Sequence, residues 1–166
     1  GNGNANSTST DNTVTYDFDV PAVTINQSAG QADPTSASPI SFDVVFSKPV
    51  TGFTNADVTL GGTAGATTVA VTGSGTTYTV AVSGMASNGT VIATIPAGVA
   101  IDSVGNPNVA STSTDNTVTY DTAGATVTIN QAATQVDPTG TSPVNFTAVF
   151  SEPVTGFTNA DLNIGG

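Results

Sequence analysis

The chain has 166 residues, twelve acidic side chains, a single Lys, no Arg and no His, for a formal net charge of −11. One cation cannot neutralise a phosphate backbone, so nucleic acid is excluded as a partner. Without Cys or His there are no disulfides, thiol nucleophiles, thiolate zinc sites or imidazole bases.

In chain order, apolar residues alternate with a period of two, and Thr and Val suit a pleated, half-buried surface. Val23-Thr24-Ile25 predicts a strand near 22–26, and Phe42-Asp43-Val44 one near 40–47. Further strands are predicted near 57–60, 67–72, 76–83, 90–95 and 114–120. Turn signals separate them: Asp33-Pro34, Ser38-Pro39, Gly61-Gly62, Gly73-Ser74-Gly75, Asn88-Gly89 and Gly105-Asn106-Pro107. Seven short strands in about 100 residues predict an all-β, two-sheet Greek-key sandwich, with an up-and-down barrel as the rival. The expected core is Val23, Ile25, Phe42, Val44, Phe46, Phe53, Leu60, Val69, Val71, Tyr78, Val80, Val82, Ile95, Val118 and Tyr120.

Residues 1–62 align without a gap on residues 105–166 at an offset of 104, with 41 of 62 positions identical. Ser7 through Asp17 recurs unchanged as Ser111 through Asp121, and Pro49 through Asp57 as Pro153 through Asp161. A period of 104 residues is one sandwich domain. The phase predicts three parts: 1–17 as the last strand of a preceding repeat, 18–121 as a complete repeat, and 122–166 as the opening of the next. The chain opens on Gly1 with no signal-peptide pattern. It has no apolar run near the ~18 residues of a membrane span. These features read as a piece of a longer tandem array with no membrane insertion in this segment.

Phe46-Ser47-Lys48-Pro49-Val50-Thr51-Gly52-Phe53 with Asn55-Ala56-Asp57-Val58, and Gly89 through Val99 followed by Asp102 to Asn106, resemble bacterial Ig-like repeats. The resemblance covers the whole chain and implies Ig-like sandwiches in tandem, of the kind found in large surface adhesins and extracellular fibres. It implies an extracellular or cell-surface location. It also implies calcium at junctions between domains, as in related adhesin arrays.

Two segments carry oxygen donors suited to calcium, which takes six to eight of them. Asp102, Asn106 and Asn108 gather around a Gly turn. A polar turn bonded to its own backbone is the other reading. Asp17 and Asp19 lie at the first junction, and at the second only Asp121 remains, since Ala123 replaces the second Asp. There a short linker stiffened by packing is the alternative. The candidate calcium ligands are thus Asp17, Asp19, Asp102, Asn106, Asn108 and Asp121, with no cofactor required by the fold. Asp11, Asp33 and Asp57 recur in phase as Asp115, Asp137 and Asp161 and are read as turn caps. A Lys crosslink in every repeat is excluded, because Glu152 stands where Lys48 does in the other copy.

No carboxylate pair, activated Ser or basic group is placed for catalysis, so no enzymatic activity is expected. The sequence predicts a structural repeat of an extracellular fibre, filament or adhesin stalk, partnered by neighbouring repeats and open to self-assembly by strand pairing. The alternative is a calcium-dependent adhesin module that binds a glycan or surface ligand through end loops.

Overall fold

The computed structural model describes residues 1–165. The chain divides into two compact units, Gly1–Thr122 and Ala123–Gly166.

In the first unit, residues 1–20 form no strand or helix and are exposed. The body begins at β1 (Val23–Gln27), followed by β2 (Ile40–Val50), β3 (Thr59–Gly61), β4 (Thr68–Ser83), β5 (Gly89–Thr94) and β6 (Thr117–Tyr120). One antiparallel sheet has the order β1-β2-β4 and the other β3-β5-β6. The inward residues of both sheets form one apolar core. Within it Phe46, Phe53 and Tyr78 meet edge to face, with ring centroids 5.2–5.8 Å apart.

Strand alternation sets which residues enter that core. Along β2, Ile40, Phe42, Val44 and Phe46 are buried while Asp43 and Val45 face out. The predicted strands at 67–72 and 76–83 run together as β4, which folds back on itself around Gly73–Gly75. A Cβ on Gly73, whose φ is +112°, would lie 2.5 Å from the Thr77 carbonyl oxygen, so only glycine allows this close turn. The expected strand at 114–120 is shortened to β6, because residues 112–115 turn aside to bond β1. Eleven of the fifteen expected core residues are buried, while Leu60, Val69, Val71 and Tyr120 pack against the core from its margin. Ile40, Val50, Val58, Ala64, Val91, Ala93 and Ala100 complete it.

The second unit contains β7 (Val127–Gln131) and β8 (Phe146–Phe150), an antiparallel pair. Val127 pairs with Phe150 as Val23 pairs with Phe46, and Gln131 with Phe146 as Gln27 with Phe42, the same register displaced by 104 residues. Among the described residues, no helix is long and apolar enough to cross a membrane.

Candidate functional site

The chain's single cation organises the entrance to the first sandwich. Lys48 lies near the end of β2, in the alternate row that contains Phe46 and Val50, so its apolar stem leaves from the core side. Its ammonium reaches the segment that leads into β1. It donates to Asp17 Oδ2 at 2.9 Å and Oδ1 at 3.1 Å, to the Asp19 carbonyl at 2.5 Å, and to Asp102 Oδ2 at 3.4 Å.

Two further elements hold the same segment. The Asn106 amide donates to the carbonyls of Asp17 and Asp19 at 3.2 and 3.4 Å, and to Asp102 Oδ2 at 3.0 Å. Ala22 N–H donates to Ser47 Oγ at 2.9 Å, and Ser47 N–H returns a bond to the Ala22 carbonyl at 2.9 Å. Val109 N–H donates to the Pro21 carbonyl at 3.0 Å. The incoming linker is therefore fastened to β2 on one side and to the 102–109 loop on the other.

Asp102 is buried, and all its acceptor positions are engaged. Its Oδ1 accepts from Val104 N–H at 3.0 Å and Asn106 N–H at 2.9 Å, closing an Asx-type turn. Burial alone raises its pKa. Bonds from Asn106 backbone and side chain, Val104 backbone and the Lys48 ammonium outweigh that and hold it at about 2. The Lys48 hydrogen bond likewise lowers Asp17, and Asp17 raises Lys48.

Of the six candidate ligands, the structure brings four together: Asp17, Asp102, Asn106 and Asp19, the last through its main-chain carbonyl. Asn108 is set apart and fully engaged. Its Oδ1 accepts from Val99 and Ala100 N–H at 2.9 and 2.8 Å, and its amide donates to the Pro96 and Val109 carbonyls at 2.9 and 2.8 Å. It pins the loop after β5 by saturating its own side chain. Asp121 accepts from the Asn88 amide, whose oxygen accepts from Thr122 N–H and Oγ1.

The gathered donors do not fit a calcium ion as they stand. Two carboxylates contribute, and the ammonium already lies between them within 3.4 Å. Among the described residues, no group of three or more Asp, Glu, His or Cys side chains is placed to hold a metal. Sequence reasoning found the acidic and amide residues of this site but not Lys48 at its centre. The signal was there: in a chain of net charge −11, one ammonium is the obvious counter-ion for a buried carboxylate.

The other recurrent Asp residues divide. Asp57 closes a tight turn by accepting from Thr54 N–H and Oγ1, both at 2.7 Å, and Asp161 does the same for Thr158. Asp33 caps no turn, and instead accepts from Thr119 N–H of β6 at 2.9 Å. A groove between residues 55–60 and 66–69, lined by Val58, Leu60 and Val69, contains no titratable side chain.

Residues 17–120 match the family model described as bacterial Ig-like domain. The comparisons with curated proteins and with solved structures found no match.

Proposed function

Since the chain belongs to the bacterial Ig-like domain family, whose domains are often in surface or extracellular proteins and are typically non-enzymatic, we propose that it is a structural repeat of an extracellular fibre, filament or adhesin stalk. On this reading the parts 1–17, 18–121 and 122–166 are successive members of a tandem array. Each complete repeat of the kind read in 18–121 adds length, roughly 35–45 Å from strands of 6–8 residues plus loops. Neighbouring repeats are its partners.

The observation that carries this reading is the fastening of the linker by Lys48. A tether that only connects domains needs no polar contacts. One that transmits force gains by being tied to more than the strand it enters. Tension on residues 17–21 would pass into β1 along the chain, and also into β2 and the 102–109 loop through Asp17, Asp19 and Asn106. At this junction the tethered ammonium supplies the positive charge that a bound ion would bring, while at the next Glu152 stands in its place.

Backbone 15N relaxation of the chain and of its Lys48→Met variant tests the proposal. We expect amides of Phe18, Asp19 and Val20 to be as ordered as the strands, with order parameters near ~0.85, and to fall below ~0.6 in the variant. Order parameters below ~0.6 in the parent chain would overturn it.

A further inference from the structure

The two sheets of the first unit end in four outer strands, β1 and β4 in one, β3 and β6 in the other. An outer edge presents main-chain groups that a strand of another molecule can pair with, unless something takes them first. The edge of β1 is taken by Thr112, whose N–H donates to the Val23 carbonyl at 3.0 Å and whose carbonyl accepts from Ile25 N–H at 3.2 Å. The edge of β6 is taken by the connection between β1 and β2. Asp33 accepts from Thr119 N–H and Thr35 N–H donates to the Thr119 carbonyl, both at 2.9 Å. β3 is only three residues long and offers little to pair with.

The remaining edge belongs to the first half of β4. β2 pairs with β4 between Gly75 and Val82, so residues 68–72, folded back at Gly73–Gly75, are the outermost of their sheet. Thr67 N–H, bonded to the Ser83 carbonyl at 3.1 Å, ties them to the second half. The usual deterrents to strand pairing are missing here. The edge reads Thr68-Val69-Ala70-Val71-Thr72, mostly β-branched and without Pro, and between Asp57 and Asp102 the sequence has no charged residue. The net charge of −11 therefore places no local repulsion on this edge. The groove lined by Val58, Leu60 and Val69 lies beside it, an apolar seat for the side chains of an added strand. What takes the edge is one side chain: Asn55 Oδ1 accepts from Val71 N–H at 2.7 Å. Asn55 opens the short turn Asn55–Asp57, which Asp57 fixes by accepting from Thr54 N–H and Oγ1, so the acceptor is held in place.

We infer that Asn55 is an edge guard, whose carboxamide oxygen keeps the outer edge of β4 from pairing with β4 of a second copy of this chain. The oxygen stands where the carbonyl of an added strand would bond. An incoming strand has to displace it before the Val71 N–H can join a ladder. A second copy is the partner to be kept out, because it brings the same uncharged edge and nothing on either side opposes the pairing. One fixed side chain does here what charge or proline does on other edges. This goes beyond the structural role proposed above, and its failure would leave the ordering of the linker by Lys48 untouched.

Sedimentation velocity of the whole 166-residue chain over a concentration series tests the inference. Asn55→Ala and Asn55→Ser remove the acceptor, and Asn55→Asp keeps one in place. Asn55 is exposed, and chemical denaturation establishes that each variant folds. Expected is association roughly tenfold or more tighter in both removals than in the parent chain. Asn55→Asp should behave as the parent, with its Val71 amide still protected, whereas exchange of that amide should quicken in the dilute removal variants. Removals that associate no more than the parent would overturn the inference. So would association in Asn55→Asp equal to that in Asn55→Ala, or failure of both removals to fold, which would make Asn55 a residue of the fold rather than a guard of its edge.

Discussion

The β1–β2 and β7–β8 pairs are nearly the same sequence in the same register with opposite surroundings. Ile25 and Phe42 are fully buried, while Ile129 and Phe146 are 49% and 65% exposed. Their local details nonetheless coincide. The Gln27 amide bonds the Gln31 carbonyl at 2.6 Å and the Gln131 amide bonds Gln135 at 2.6 Å. Gln31 Oε1 accepts from Ser41 N–H and Gln135 Oε1 from Asn145 N–H, both at 2.9 Å. The strand pair, its register and its connecting loop are thus written in some thirty consecutive residues. Burial is not local, because it depends on β4, β5 and β6 arriving from elsewhere in the chain.

That contrast is open to attack, most forcefully in the core. Phe42→Ala removes a ring packed on all sides and is expected to lower unfolding stability by about 3–5 kcal/mol. Phe146→Ala, at the matching exposed site, should stay within about 0.5 kcal/mol. Chemical denaturation of the two variants measures both. If Phe146→Ala costs as much as Phe42→Ala, the contrast in burial between the two pairs does not hold in solution.

A smaller difference is expected at the polar hub. Asn26 Oδ1 is that hub, and Asn26→Ala removes the acceptor of four exposed donors in residues 113–115, of which Asp115 N–H keeps Ser113 Oγ at 3.0 Å, so it should cost about 0.5–1.5 kcal/mol. Asn130→Ala, at the matching exposed position of β7, should be silent. Amide exchange at Thr114 and Asp115 would rise in the first variant alone.

The linker clamp should respond to pH with a sign fixed by its members. Asp17 and Asp102 have lowered values, so their contribution is present above the ordinary 3.8 and is lost as pH falls through the lowered values, about 2 for Asp102. Lys48 is raised, so its contribution is complete below 10.5 and is lost as pH rises through the higher folded value. Order at Phe18–Val20 should therefore persist across the neutral range and decline toward pH 2, as read by 15N relaxation. The least effect is expected from an excess of chelator, which should leave both linker order and the unfolding transition unchanged. A chelator-dependent loss of order would restore calcium to the junction.

Much of this was legible in the sequence, for identifiable reasons. Period-two alternation named most of the core because β1, β2, β5 and the second half of β4 each have one buried face. Ala64, Ala93 and Ala100 escaped because small residues leave little trace in a hydropathy pattern, although close packing needs them. Of the site, Asp102 and Asn106 were visible as a polar turn. Asn108 looked like one of the same group but turns inward to serve the loop's own backbone. The meeting of Lys48 with Asp17, 31 residues earlier, and with Asp102, 54 later, depends on how β2 and two loops end at one edge of the sandwich, which spacing along the chain does not encode.

Lys48 also bears on digestion. A protease that grips a basic side chain in its specificity pocket finds one candidate in these 166 residues. That side chain already holds three acidic residues of its own chain, and the bond after it leads into Pro49, whose ring nitrogen has no hydrogen. For trypsin-like enzymes the polypeptide offers almost nothing to cut, even when unfolded, so its resistance to them is a property of composition before it is one of fold.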